Sequence, residues 1–428
     1  MSTLEPTRPQ DLAALTAGLP RVRRRTTIVL LVSQVLGGLG VAIGIALSAL
    51  LAEEVSGSEA MSGLGQTSTV AGTAVLALPL ASLMSRRGRR AGLVLAYLIG
   101  AAGAALVVLA SVIGSFALLL TGMAAFGAGS SANLAARFAA ADLAEPARRG
   151  RAIATVVWAT TIGAVLGPNI AAPAGRSVSG AGVPESAGPF VWATGVFLVA
   201  AAVMAVALRP DPLLTARALA TGDGAGPEDR SLRAALAAVR VSPMARLALL
   251  TVAVSHTTMV AIMVMTPLDL VHHGADIELI GLVFSSHILG MYAFSPVMGW
   301  LADRLGRISV IGLAVALLAL AALLAGTARG NHVQSAVGLF VLGLGWSAGL
   351  VAGSALLTDS VPQAARAGVQ GLADLSMSSL AGAGGALAGV VVAQAGYGWL
   401  NTVGAALLVP VAVLAVLTRG RMPRTAKE

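Results

Sequence analysis

This sequence predicts an all-α membrane protein: twelve transmembrane helices in two pseudo-symmetric six-helix bundles. Three observations lead there. The 428 residues are 57% hydrophobic and only 11% charged, against about 25% charged in an ordinary soluble domain. Twelve apolar stretches are each near the ~20 residues that a helix needs to cross a bilayer. A basic turn at 81–90 (ASLMSRRGRR) recurs at 299–308 (GWLADRLGRI), and a second pair, DLAEPARRG at 142–150 and DSVPQAARAG at 359–368, follows at nearly the same offset. Such internal duplication is characteristic of two-halved transporters.

Residues 1–26 form a polar segment with Pro6, Pro9 and Pro20, ending in Arg21, Arg23, Arg24 and Arg25. They lack the short apolar run and cleavage site of a signal peptide, so they read as a cytoplasmic tail. Spans 1 to 6 are expected at roughly 27–51, 61–84, 91–112, 115–141, 151–174 and 188–208. Spans 7 to 12 are expected at roughly 244–271, 278–301, 308–328, 333–358, 366–394 and 398–418. Only helices satisfy their own backbone within lipid over such lengths. The domain plan is therefore a first bundle over 27–208, a cytoplasmic linker over 209–243, a second bundle over 244–418 and a tail over 419–428. The linker is rich in Pro and Gly, and its stretch 231–241 reads as a short surface helix.

The placement of charge sets the orientation. Of 28 Lys and Arg, all but Arg137, Arg176 and Arg329 fall in the tails or in the loops on the N-terminal side. The positive-inside rule then puts both ends in the cytoplasm. The +9 net charge lies between apolar stretches rather than on a soluble face, which excludes a nucleic-acid partner. With no cysteine there is no disulfide and no thiol nucleophile. No nucleophile, base and acid converge anywhere, so an enzyme is not expected. A composition rich in Ala and Arg with one lysine, Lys427, suits the inner membrane of a bacterium. A monomer in the bilayer is expected.

The turn between spans 8 and 9, with Gly299, Leu301, Asp303, Arg304, Gly306 and Arg307, resembles the signature Gly-x-Leu-Ala-Asp-Arg-x-Gly-Arg of the major facilitator superfamily. The first copy keeps Arg86, Gly88 and Arg89 but has Ser85 at the acid position. The resemblance covers the chain after the N-terminal tail and implies a secondary transporter working by alternating access. An acid at a helix end with arginines on the next turn can bridge to a neighbouring helix and hold one conformation. Asp303, Arg304 and Arg307, with Arg86, Arg89 and Asp142 in the first half, are the expected latch. Gly163-x-x-x-Gly167-Pro168 on span 5 resembles the motif enriched in exporting members; the arginine that accompanies it early in span 4 is absent from Thr121–Ala124. The residues alone leave packing open, since glycines four apart let helices approach closely.

Polar residues inside the spans are costly and usually functional. Arg137 lies one turn from Asn133 on span 4, and Asp374 lies in span 11. Arg137 is expected in a gating ion pair and Asp374 as a proton or counter-charge site. Gln34 and His256 are further cavity candidates. Met259-x-x-x-Met263 on span 7 and His287-x-x-x-Met291 on span 8 each put two side chains on one helical face. Counted from the loop between these spans, all four fall within about 10 Å of depth, near mid-membrane. Thioether and imidazole groups suit Cu(I); a non-metal substrate site and plain packing fit the same residues. The pair of motifs also resembles the copper-importing CcoA-like (CalT) branch of the superfamily. That resemblance makes Met259, Met263, His287 and Met291 candidate ligands, with copper as the transported substrate and no permanently bound cofactor. Members of that branch also use cysteines, and this chain has none. The alternative is a proton-coupled exporter of drugs or other small molecules.

Overall fold

The computed structural model describes residues 9–58, 61, 63–178, 182–221, 232–275 and 277–419. The start of the expected N-terminal tail, all but Arg419 of the expected tail over 419–428, and the linker stretch 222–231 lie outside the described residues. Twelve helices are long and apolar enough to span a membrane, and there are no strands among the described residues.

The first half contains α1 (Pro9–Ser56), α2 (Gly63–Arg87), α3 (Arg89–Ile113), α4 (Phe116–Asp142), α5 (Arg149–Val178) and α6 (Gly188–Ala207). Helix α1 packs on α5 and α6, α3 on α4 and α6, and α2 on α4. The second half contains α9 (Pro243–His272), α10 (Ile277–Ile288), α11 (Ser295–Leu305), α12 (Arg307–Gly326), α13 (His332–Asp359), α14 (Arg366–Ala395), α15 (Tyr397–Leu407) and α16 (Val409–Arg419). Here α13 packs on α12 and α9, and α14 on α9. The halves meet mainly through α2 against α14 and α5 against α11.

Local chemistry explains where the helices differ from the sequence expectation. Helix α1 begins well before residue 27 and runs through Pro20. Span 8 is divided: a π-helical turn, Leu289–Ala293, separates α10 from α11. Pro296 has no N–H to give to the carbonyl of Tyr292; the Ser295 hydroxyl takes that place at 2.6 Å and also lies 3.2 Å from the Ala154 carbonyl of α5. Span 12 is likewise divided, at Leu408, beside Pro410. The linker contains the expected surface helix, α8 (Leu232–Val241), and an unexpected one, α7 (Pro212–Thr221).

Both signature turns depend on one glycine. Gly88 and Gly306 each have φ +89 and introduce α3 and α12, a region where a side chain is strained. The span-5 glycines serve close packing. A Cβ on Gly163 would stand 2.4 Å from the Leu39 nitrogen, and one on Gly167 2.4 Å from the Ala42 Cβ.

Candidate functional site

The face carrying the two signature turns, here the basic face, is clasped shut by polar side chains. Each half contributes the same unit. In the first, Arg89 at the start of α3 holds Asp142 at the end of α4 through two bonds, 2.7 and 3.2 Å, with both side chains buried. In the second, Arg307 at the start of α12 lies 3.4 Å from Asp359 at the end of α13 and 2.7 Å from Asp303. An acid at a helix C-terminus is opposed by the helix dipole; the arginine on the adjoining N-terminus offsets that cost.

The units then reach across the molecule. The N–H groups of Gly150 and Arg151, in the first turn of α5, both donate to the Asp303 carboxylate at 2.9 Å. A helix N-terminus favours an anion, and a Cβ on Gly150 would stand 2.8 Å from Asp303 Oδ1. Arg149 pairs with Asp359, and Arg307 donates to the Pro146 carbonyl at 2.7 Å. Arg89 donates to Gln370 of α14. The opposite-hand image of the Asp303 contact is missing: Ser85 Oγ is buried without a hydrogen-bond partner.

Deeper lies a second layer. Arg137, about 8 Å above the end of α4, donates to Asp374 of α14 at 2.7 Å and to Ser354 of α13 at 3.2 Å. Ser354 is the repeat counterpart of Arg137, so the pair meets near the pseudo-two-fold axis. Arg137 is 1% exposed and Asp374 7%. The two residues expected separately, as a gating cation and a counter-charge, are bonded to each other across the halves. These inter-half bonds all lie in the basic-side half of the spans.

Two latch expectations are corrected. Arg304 is exposed and lies over the Trp300 ring, 5.1 Å from its centroid, and Arg86 is exposed with no ion pair among the described residues. Neither belongs to the clasp. Sequence reasoning missed Arg149, Asp359 and Gln370. The recurrence of Asp142 as Asp359, each closing a helix, was the signal that could have found Asp359.

At mid-membrane, Gln34 donates to the Asn133 carbonyl (3.2 Å) and to Thr160 (3.0 Å), and Tyr97 donates to Asn133 Oδ1 (3.0 Å). These cavity candidates brace α1, α3, α4 and α5. In the other half, Trp346 Nε1–H donates to His256 Nδ1 at 2.8 Å, and the Tyr292 ring meets Trp346 edge-on with centroids 5.5 Å apart. Neither aromatic was foreseen.

The four sulfur and imidazole candidates do not form the expected two-helix arrangement. Both α9 and α10 pack on α13, and His287 turns toward it. The His287 Nδ1 lies 2.8 Å from the Leu339 carbonyl, and the side chain is fully buried. Met259 and Met291 lie in an apolar cluster with Ile262, Trp346 and Leu350, and Met263 packs against its edge. Sequential antiparallel spans were taken as neighbours, but α13 bridges them. Among the described residues no three His, Cys, Asp or Glu side chains gather to hold a metal ion.

The family model described as Major Facilitator Superfamily matches residues 29–273 and again 247–428. The chain belongs to the Major Facilitator Superfamily (MFS). It is 38% identical over 399 residues to the uncharacterised MFS-type transporter YdeG of Bacillus subtilis (strain 168), covering 93% of each chain. It is 28% identical to the riboflavin transporter RfnT of Brucella anthropi, covering 88% of this chain and 92% of that one. Among solved structures, the MFS transporter FucP in the outward conformation shares the fold, with a TM-score of 0.68 at 16% identity, covering 93% of this chain and 98% of that one. This chain is thus an MFS transporter of the alternating-access type, with the MFS fold.

Proposed function

We propose that this MFS transporter carries a small organic solute across the bacterial cytoplasmic membrane, with its basic face inside and its passage closed on that side. The observation that carries the reading is the layered inter-half clasp: Asp303 on the α5 N-terminus, Arg149 with Asp359, and above them Arg137 with Asp374. Alternating access requires such bonds to break before the other state forms. For the solute, the riboflavin that RfnT carries and the mid-membrane His256, Trp346 and Tyr292 support a planar polar heterocycle. Asp374 is the candidate proton carrier if transport is proton-coupled.

The cysteine-free chain supplies the test. Ala135 lines a small cavity inside the clasp, bordered by Arg89 and Gln370 and by Asp374. Ala135→Cys should react slowly with a maleimide applied from the basic face. Adding Asp303→Asn and Asp359→Asn should raise that rate about tenfold or more, since each charged contact is worth about 1.5–3 kcal/mol. An unchanged rate would remove the clasp from the mechanism.

A second reading, copper import, has one observation in its favour. A carbonyl only accepts, so His287 Nδ1 carries the proton and Nε2 is a bare lone pair, buried without a partner. Met291 lies one turn on, and such a tautomer suits metal ligation. Uptake of radioactive copper into cells should then fall several-fold in His287→Ala and Met263→Ala; equal uptake in wild type and both variants rejects copper as substrate.

A further inference from the structure

The pairing of Trp346 with His256 fixes more than a contact. Indole nitrogen only donates, so His256 Nδ1 accepts, and the neutral imidazole must keep its proton on Nε2. His256 therefore presents one oriented N–H donor away from Trp346. Its ring and that of Trp346 lie 6.1 Å apart and inclined by 45°, and the Tyr292 ring meets the indole at 79°.

The packing of α9 shows which way that donor looks. Ser255 faces Gly349 of α13, Thr258 and Ile262 face Gly404 of α15, and Thr257 faces Gly384 of α14. At about 100° per residue, His256 falls on the remaining face, opposite α15 and toward the first half. His256 and Tyr292 are partly exposed while Ser255, Thr258 and Met259 around them are buried. Tyr292 rides on the π-helical turn of span 8, a feature frequent at functional sites.

We infer that His256, Trp346 and Tyr292 form a subsite for a planar nitrogen heteroaromatic ring. The ring packs against the partly exposed phenol of Tyr292, and one of its carbonyl oxygens accepts the His256 Nε2–H, whose direction the buried Trp346 fixes. A sugar lacks the aromatic face, and a bare metal ion would need the Nε2 lone pair that this tautomer lacks. This inference rests on the organic-solute reading above.

The test uses the full chain in lipid nanodiscs, with riboflavin and its ring-only analogue lumichrome as probes, read by quenching of probe fluorescence. Lumichrome should compete with riboflavin, and ribitol should not. Trp346→Leu and His256→Leu should each weaken binding by about tenfold or more. His256→Gln should stay within about threefold of wild type, because its amide oxygen can accept from Trp346 while its N–H group still donates. Ala135→Cys labelling at the wild-type rate in each variant checks that the fold and clasp are intact. Unaltered binding in both leucine variants overturns the subsite, as does wild-type protein that binds neither probe. Those results leave the clasp to the labelling experiment, whose failure with flavin binding intact would remove the clasp from the mechanism and keep the subsite.

Discussion

Arg137 carries its charge inside a membrane-spanning helix. It is an arginine at 1% exposure whose neutralising partner, Asp374, comes from the other half. Removing one member of such a pair leaves an uncompensated buried charge, which costs about 3–5 kcal/mol. Arg137→Ala should therefore lower the thermal unfolding temperature of the detergent-solubilised protein markedly, and Arg137→Gln with Asp374→Asn should recover most of the loss. A double variant no more stable than Arg137→Ala would show that the pair is not the source of the cost. Ser85 makes the opposite point. It occupies the acid position of the first signature turn and has a buried hydroxyl without a partner. Ser85→Asp should add a second helix-N-terminus contact, against α14, worth about 1–2 kcal/mol. It should slow maleimide labelling of Ala135→Cys several-fold, and faster labelling would show the added charge to be repulsive there.

At the scale of elements, the linker compensates for the missing acid. Asp211, just before α7, accepts the Arg90 N–H at 2.7 Å and caps its own helix through Leu213 and Leu214. Arg217 of α7 donates to the Ser85 carbonyl at 2.7 Å. The first turn is thus tied from the linker, and the second is tied from the partner half through Asp303. The sequence made the twelve spans legible because apolar length and basic turns are direct consequences of bilayer thickness and topology. It made α7 illegible because a ten-residue helix with no strong amphipathic stripe gains its stability from docking on α4 and the α2–α3 turn. The divisions of spans 8 and 12 had a visible cause in Pro296 and Pro410, but proline inside a span can also be tolerated without a break, as Pro20 and Pro79 are.

At the scale of the whole molecule, the pseudo-two-fold arrangement explains which parts of the site could be read. Arg89 with Asp142 and Arg307 with Asp359 are copies, and the motif that names one names the other. Arg137 with Asp374 has no such image, and only its cost in lipid marked those two residues as functional. The distance in sequence between His256 and Trp346 hid the aromatic subsite, because nothing local says that α9 and α13 adjoin. The same ignorance of neighbours produced the expectation that span 7 meets span 8 directly, when α13 packs on both and takes the His287 hydrogen bond.

Across the halves Asp303 is held by main-chain N–H groups, not by a side chain, and this makes the clasp lopsided as a target for genetic variation. Most substitutions at Arg151 leave its amide in place, so drift on the α5 side cannot easily dissolve the contact; a proline there could, and a bulkier residue than Gly150 would push the acid away. In a selection for variants that restore turnover to an over-tight clasp, revertants should accumulate at codon 303 and be scarce at codon 151.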